Sequence, residues 1–237
     1  MKYLFGKELE EKSINIINQF DSSYLNIPDS LPEEELLYFF GLDLQYVNFC
    51  DPDVLGAFVF EPGYVKILDS NGEVYEQYFD KNVVLIDSFE AIKNLHRAKF
   101  TIFHEVSHFI LHSKTQKKIH IDGKAQIRYF LKSDYHRKLK TDEDVIEWQA
   151  NYLASCLQIN NQALALFINS LKSNYEYPSK GGFIYMDEDE RKCIIEKTSR
   201  QFNVSFRAAE IRLEVRRYIA PYNHSESYYK LDGMLSR

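Results

Sequence analysis

His104-Glu105-Val106-Ser107-His108 is the stretch of this chain whose residue types and spacing can do chemistry. On a helix, residues four apart share a face, so His104 and His108 can reach one Zn²⁺ together. Glu105 adjoins the first histidine and is placed to take a proton from a water held on that metal. The metal lowers the water's pKa to around 7 and polarises the carbonyl of a scissile peptide bond. A catalytic zinc needs a third protein ligand. Continuation of the motif with a Gly and a third His is excluded, because Leu111 and Lys114 occupy those positions. Glu147 in Glu147-Trp148-Gln149-Ala150-Asn151 suits the alternative, a carboxylate from a later helix. Asn151 lies four residues on, on the same face, where it can support a histidine ligand from behind. His112 extends the 104–108 face by one turn and reads as a packing or supporting residue rather than a ligand.

Two helices must carry these groups. Phe100, Phe103, Val106, Phe109 and Ile110 recur at helical spacing and predict a helix over about 95–113. Thr141-Asp142-Glu143-Asp144 reads as the acidic, Thr-capped start of the second, and Ile146, Ala150, Leu153 and Leu157 carry its apolar stripe to about Gln158. Between them, residues 114–140 are rich in Lys and His with little periodicity and read as an irregular connection. Tyr129, Tyr135 and His136 in that connection are candidates for stabilising an oxyanion. Upstream, helices are expected near 9–20 and 33–40. The segments 45–49, 56–60, 64–68, 73–79 and 83–87 are rich in β-branched and aromatic residues and predict a small, mostly antiparallel sheet. Helices near 161–172, 187–201 and 206–219 follow, before a polar tail from Pro221. The class is α+β, with a catalytic domain over 1–175 and a C-terminal helical segment over 176–237.

Composition narrows the setting. The 237 residues are 45% hydrophobic and 15% aromatic, enough for one substantial core and against disorder. A net charge of −6 makes the whole chain no electrostatic trap for nucleic acid. Cys50, Cys156 and Cys193 form no CxxC pair, which argues against a disulfide framework and suits a reducing compartment. The charged start precludes a secretory apolar run, and no stretch reaches the roughly 20 apolar residues of a membrane span. A cytoplasmic protein is expected, with no membrane partner.

Two other functions compete with peptide hydrolysis. Residues 187–217 read as a helical pair with Arg200, Arg207, Arg212, Arg216 and Arg217 nearby, which a DNA-binding regulator would need. Glu210 and Glu214 on the second helix favour a packed hairpin instead. A metal-binding regulatory protein that cleaves nothing is the other, and an intact Glu105 argues against it.

The phrases Lys99-Phe100-Thr101-Ile102-Phe103-His104-Glu105-Val106-Ser107-His108-Phe109-Ile110-Leu111-His112 and Glu147-Trp148-Gln149-Ala150-Asn151-Tyr152-Leu153-Ala154 resemble the ImmA/IrrE family of metallopeptidases. The likeness extends more weakly to about residues 25–215. The resemblance implies a zincin-like catalytic domain and zinc held by His104, His108 and Glu147, with Glu105 as the base. It also implies a protein substrate, a repressor with a helix-turn-helix domain. Phe103 and Ser107 stand where the family has Ala and Gly, and Asn160 where a Pro often follows the second helix.

Overall fold

The computed structural model describes residues 4–113, 126–131, 141–175, 179–180, 183–184 and 186–220. Its helices are α1 (Gly6–Asp21), α2 (Glu33–Phe40), α3 (Ser88–Lys93), α4 (Leu95–His112), α5 (Asp142–Gln158), α6 (Asn161–Tyr175), α7 (Glu188–Gln201) and α8 (Phe206–Val215). Its strands are β1 (Asp43–Phe49), β2 (Val54–Glu61), β3 (Gly63–Leu68), β4 (Val74–Phe79), β5 (Val83–Asp87), β6 (Gln126–Leu131) and the short pair β7 (Ser179–Lys180) and β8 (Phe183–Ile184). The fold is α+β and zincin-like: an open, mostly antiparallel sheet, a pair of helices bearing the motif residues, and C-terminal helices.

The chain divides into two compact units. The first is Pro32–Ala154, and the second joins Leu4–Leu31 to the residues from Ser155 onward, so the division falls inside α5.

In the first unit, six strands form one sheet in the order β4-β3-β1-β5-β2-β6. Every pairing is antiparallel except β1 with β5. β2 and β5 lie centrally and are buried on both faces, which explains their near-continuous apolar sequences. On one side, Ala57, Val59, Val83 and Leu85 join Val65, Ile67 and Phe79 in one buried cluster. On the other, α4 packs on β2 and β5. That approach depends on Gly56, where an added Cβ would lie 2.5 Å from Thr101 Cγ2 and 3.1 Å from the Leu85 carbonyl. The second unit has its own core, which includes Leu164, Ile168, Ile194, Phe202, Ala209 and Leu213.

Several elements escape the sequence reading. α3 is a single short helix, capped by Asp87 and cut from α4 at Asn94, whose side chain caps α4 through Arg97 N at 3.0 Å. β6 is a strand within the stretch expected to be irregular, paired along the whole of β2. Its alternation in sequence is short and flanked by Lys-rich residues, so partner pairing rather than local pattern defines it. The last helix stops at Val215, short of the expected 219, because Arg217 takes a left-handed φ of 59°. Tyr218 N bonds Leu213 O and Arg217 N bonds Glu214 O, closing a Schellman motif without the usual glycine. At the end of α2, Gly41 fills the same role and was legible for that reason.

Candidate metal centre

α4 and α5 bring the motif residues together in the first unit. His104 and His108 lie one turn apart on α4, and their Nε2 atoms stand 2.9 Å from each other. Glu147 Oε2, from α5, lies 3.2 Å from His104 Nε2 and 3.4 Å from His108 Nε2. All three side chains are buried, and among the described residues they form the one group of His, Cys, Asp or Glu whose donor atoms converge closely enough to share a metal ion. Glu105 is fully buried beside His104 and stands outside that group.

The local reasons are ordinary. α5 starts with a reciprocal cap, in which Thr141 Oγ1 accepts from Asp144 N at 3.1 Å while Asp144 Oδ2 accepts from Thr141 N at 2.8 Å. This fixes the helix register three residues before Glu147. On α4, Phe103 and Val106 are buried among the core residues that anchor the helix. Ser107 Oγ donates to the Phe103 carbonyl at 2.8 Å, which satisfies its hydroxyl in place.

Asn151 and His112 lie beside the two histidines. Asn151 Oδ1 lies 3.0 Å from His104 Nδ1. An amide oxygen has only lone pairs to offer, so His104 donates through Nδ1 and its Nε2 faces Glu147 unprotonated. His112 Nδ1 lies 3.1 Å from His108 Nδ1, and His112 Nε2 lies 3.3 Å from Gln149 Oε1. Gln149 is a residue that sequence reasoning did not single out; its signal was only its place on α5, two residues past Glu147. Tyr135, His136 and the side chain of Tyr129 lie outside the described residues.

Burial pushes the His108 pKa down to about 3, against the pull of Glu147, so the ring is neutral at pH 7. The cluster thus gathers nitrogen lone pairs and a carboxylate in one dry place. That arrangement is unfavourable by itself and favourable around a cation. Two imidazole nitrogens and a carboxylate oxygen are the donor set of a catalytic zinc site. Tetrahedral bonds of roughly 2.0–2.2 Å place donors about 3.3–3.6 Å apart; the two Glu147 separations, 3.2 and 3.4 Å, lie close to this, and the histidine nitrogens stand nearer, at 2.9 Å. The residues fit a metal ion.

An α+β fold with paired helices that converge two His and one Glu defines a metal-dependent hydrolase of the zincin kind. Residues 69–214, more than half of the chain, match the Peptidase M78 family, described as the IrrE N-terminal-like domain. The chain belongs to that family of metallopeptidases. The match begins at residue 69, so the weaker likeness upstream lies outside it. A search of curated proteins found no match. No helix among the described residues is long and apolar enough to cross a membrane.

The arginines of the C-terminal pair are largely engaged within the second unit. Arg212 is buried against Glu10, Arg207 pairs with Glu210, and Arg200 lies 3.7 Å from Glu196. Asn160, which stands at the family's Pro position, caps α6: its Oδ1 accepts from Ala163 N at 2.9 Å and its Nδ2 donates to Tyr24 O at 2.8 Å.

Proposed function

We propose that this protein is a zinc-dependent endopeptidase in which His104, His108 and Glu147 hold the metal and Glu105 is the general base. The observation that carries the reading is the convergence of His104 Nε2, His108 Nε2 and Glu147 Oε2 at 2.9–3.4 Å in a buried site. Bound zinc supplies Lewis acidity, which brings a water's pKa near 7 and polarises a peptide carbonyl. Glu105, next in sequence to a ligand and held in the buried core of α4, accepts the proton of the attacking water and returns it to the leaving amine. Asn151 and His112 orient the two imidazoles through their Nδ1 atoms.

The substrate proposed is a helix-turn-helix repressor, on the strength of the family likeness. A reducing, cytoplasmic setting suits the free cysteines Cys50, Cys156 and Cys193. The pairing of Arg200, Arg207 and Arg212 with carboxylates reduces what the C-terminal helices offer to DNA. The test is to incubate the zinc-loaded wild type and Glu105→Gln with any helix-turn-helix repressor encoded beside the protein. A cleavage product formed by wild type alone supports the reading. An intact repressor with both, or equal cleavage by both, removes it.

A further inference from the structure

The two histidines on α4 are held from behind in different ways. His104 meets an amide oxygen directly, and that contact puts the proton on its Nδ1. His108 meets another imidazole, His112, at 3.1 Å between Nδ1 atoms. An imidazole nitrogen can give or take a proton, so this contact leaves the tautomer of His108 open. Whatever lies on the far side of His112 must decide it. Gln149 Oε1 lies there, 3.3 Å from His112 Nε2, on a side chain only 1% exposed. Facing an oxygen, His112 carries its proton on Nε2 and keeps a lone pair on Nδ1. His108 then donates through Nδ1, and its Nε2 is bare where it faces His104 Nε2 and Glu147 Oε2.

We infer that Gln149 is a positioning residue for the metal centre, acting through His112 to hold His108 in the tautomer whose Nε2 can bind a metal. In the opposite tautomer His108 Nε2 carries a hydrogen in the space between His104 and Glu147, and the ligand position is closed. The effect on affinity rests on the metallopeptidase reading; the effect on the tautomer does not. The chain of contacts also explains why a glutamine, rather than an apolar residue, occupies this buried position on α5.

The substitutions Gln149→Met and Gln149→Glu separate hydrogen-bonding from packing. Methionine fills similar space without an acceptor, whereas glutamate keeps one. Zinc affinity, read by competition with a chromophoric chelator, falls about 10-fold or more in Gln149→Met and holds within about threefold in Gln149→Glu. In a His112→Phe background the relay is already broken, so Gln149→Met has no further effect. Equal affinity of Gln149→Met and wild type, or the same loss in both backgrounds, overturns the inference. Histidine ¹⁵N shifts of the metal-free wild type provide a readout that needs neither metal nor a variant. His108 protonated on Nδ1 supports the relay, and His108 protonated on Nε2 overturns it. A wild type that binds no zinc yet shows His108 protonated on Nδ1 defeats the metal reading and leaves the relay standing.

Discussion

Each of the two units buries a polar cluster that ties together helices distant in sequence, and the clusters differ in one respect. In the second unit, Arg212 on α8 meets Glu10 on α1: Nη1 lies 2.9 Å from Oε1, and Nη2 donates to Oε2 at 3.0 Å. Its Nε donates to the Ile159 carbonyl at 2.9 Å and Nη2 also reaches Asn161 Oδ1 at 2.8 Å. Here a cation lies against an anion. Beside it, burial pushes the Cys156 thiol up to about 12, which keeps it protonated and unreactive. In the first unit, His104, His108 and Glu147 bring two imidazole nitrogens and a carboxylate oxygen within 2.9–3.4 Å of one another. Burial of polar groups is common to both. Among the described residues, donor atoms that converge closely enough to share a metal ion belong to the first alone, and that convergence is what marks chemistry.

The contrast predicts opposite responses to substitution. Glu147→Ala lowers zinc affinity by more than the roughly 10–100-fold typical of residues that merely support a ligand, and it does not unfold the metal-free protein. Chelator competition and circular dichroism together read this. Arg212→Met removes the guanidinium that pairs with buried Glu10 and costs about 3–5 kcal/mol of stability, with zinc stoichiometry unchanged. Pairing it with Glu10→Leu recovers most of that loss, since an apolar pair of similar volume replaces a buried ion pair at little cost. Denaturant melts of the single and double variants measure it. A loss of zinc in Arg212→Met, or a fold collapse in Glu147→Ala, would erase the distinction between the clusters.

The two clusters were unequally visible in the sequence. His104, Glu105 and His108 announce themselves because helical spacing turns a five-residue pattern into one face. Glu147 and Asn151 followed from the need for a third ligand and for something behind it. Gln149 did not, because its role depends on where the His112 ring ends up, and no spacing rule supplies that. Arg212–Glu10 was invisible for a stronger reason: 202 residues separate the partners, and each looks like an ordinary surface charge on its own helix. By sequence alone Arg212 groups with the other arginines of a positive patch. Among the elements, β1 to β5 and α2 were legible from β-branched runs and the Pro and Gly that bound them. β6 was not, since a strand between Lys-rich flanks acquires its identity from pairing with β2.

Acid should act on the first cluster. The folded His108 pKa of about 3 lies below its unfolded value near 6.5, so in that interval the unfolded chain binds the extra proton. Stability of the metal-free protein therefore rises with pH across the window and is lost as pH falls from about 6.5 towards 3. Thermal melts between pH 7 and 4 should show a smaller decline in His108→Phe, and an equal decline would place the acid sensitivity elsewhere. A smaller effect should come from Gly56→Ala, which crowds Thr101 on α4 and costs about 1–3 kcal/mol. Thr101→Ser, which removes the crowded methyl, should restore part of it.

Metal content per chain tests the central claim most directly. Elemental analysis of the purified wild type and of Glu105→Gln should find about one zinc per chain in each, and none in a His104→Ala/His108→Ala double variant. Wild type without metal, or a double variant that retains it, would contradict the assignment of the first cluster.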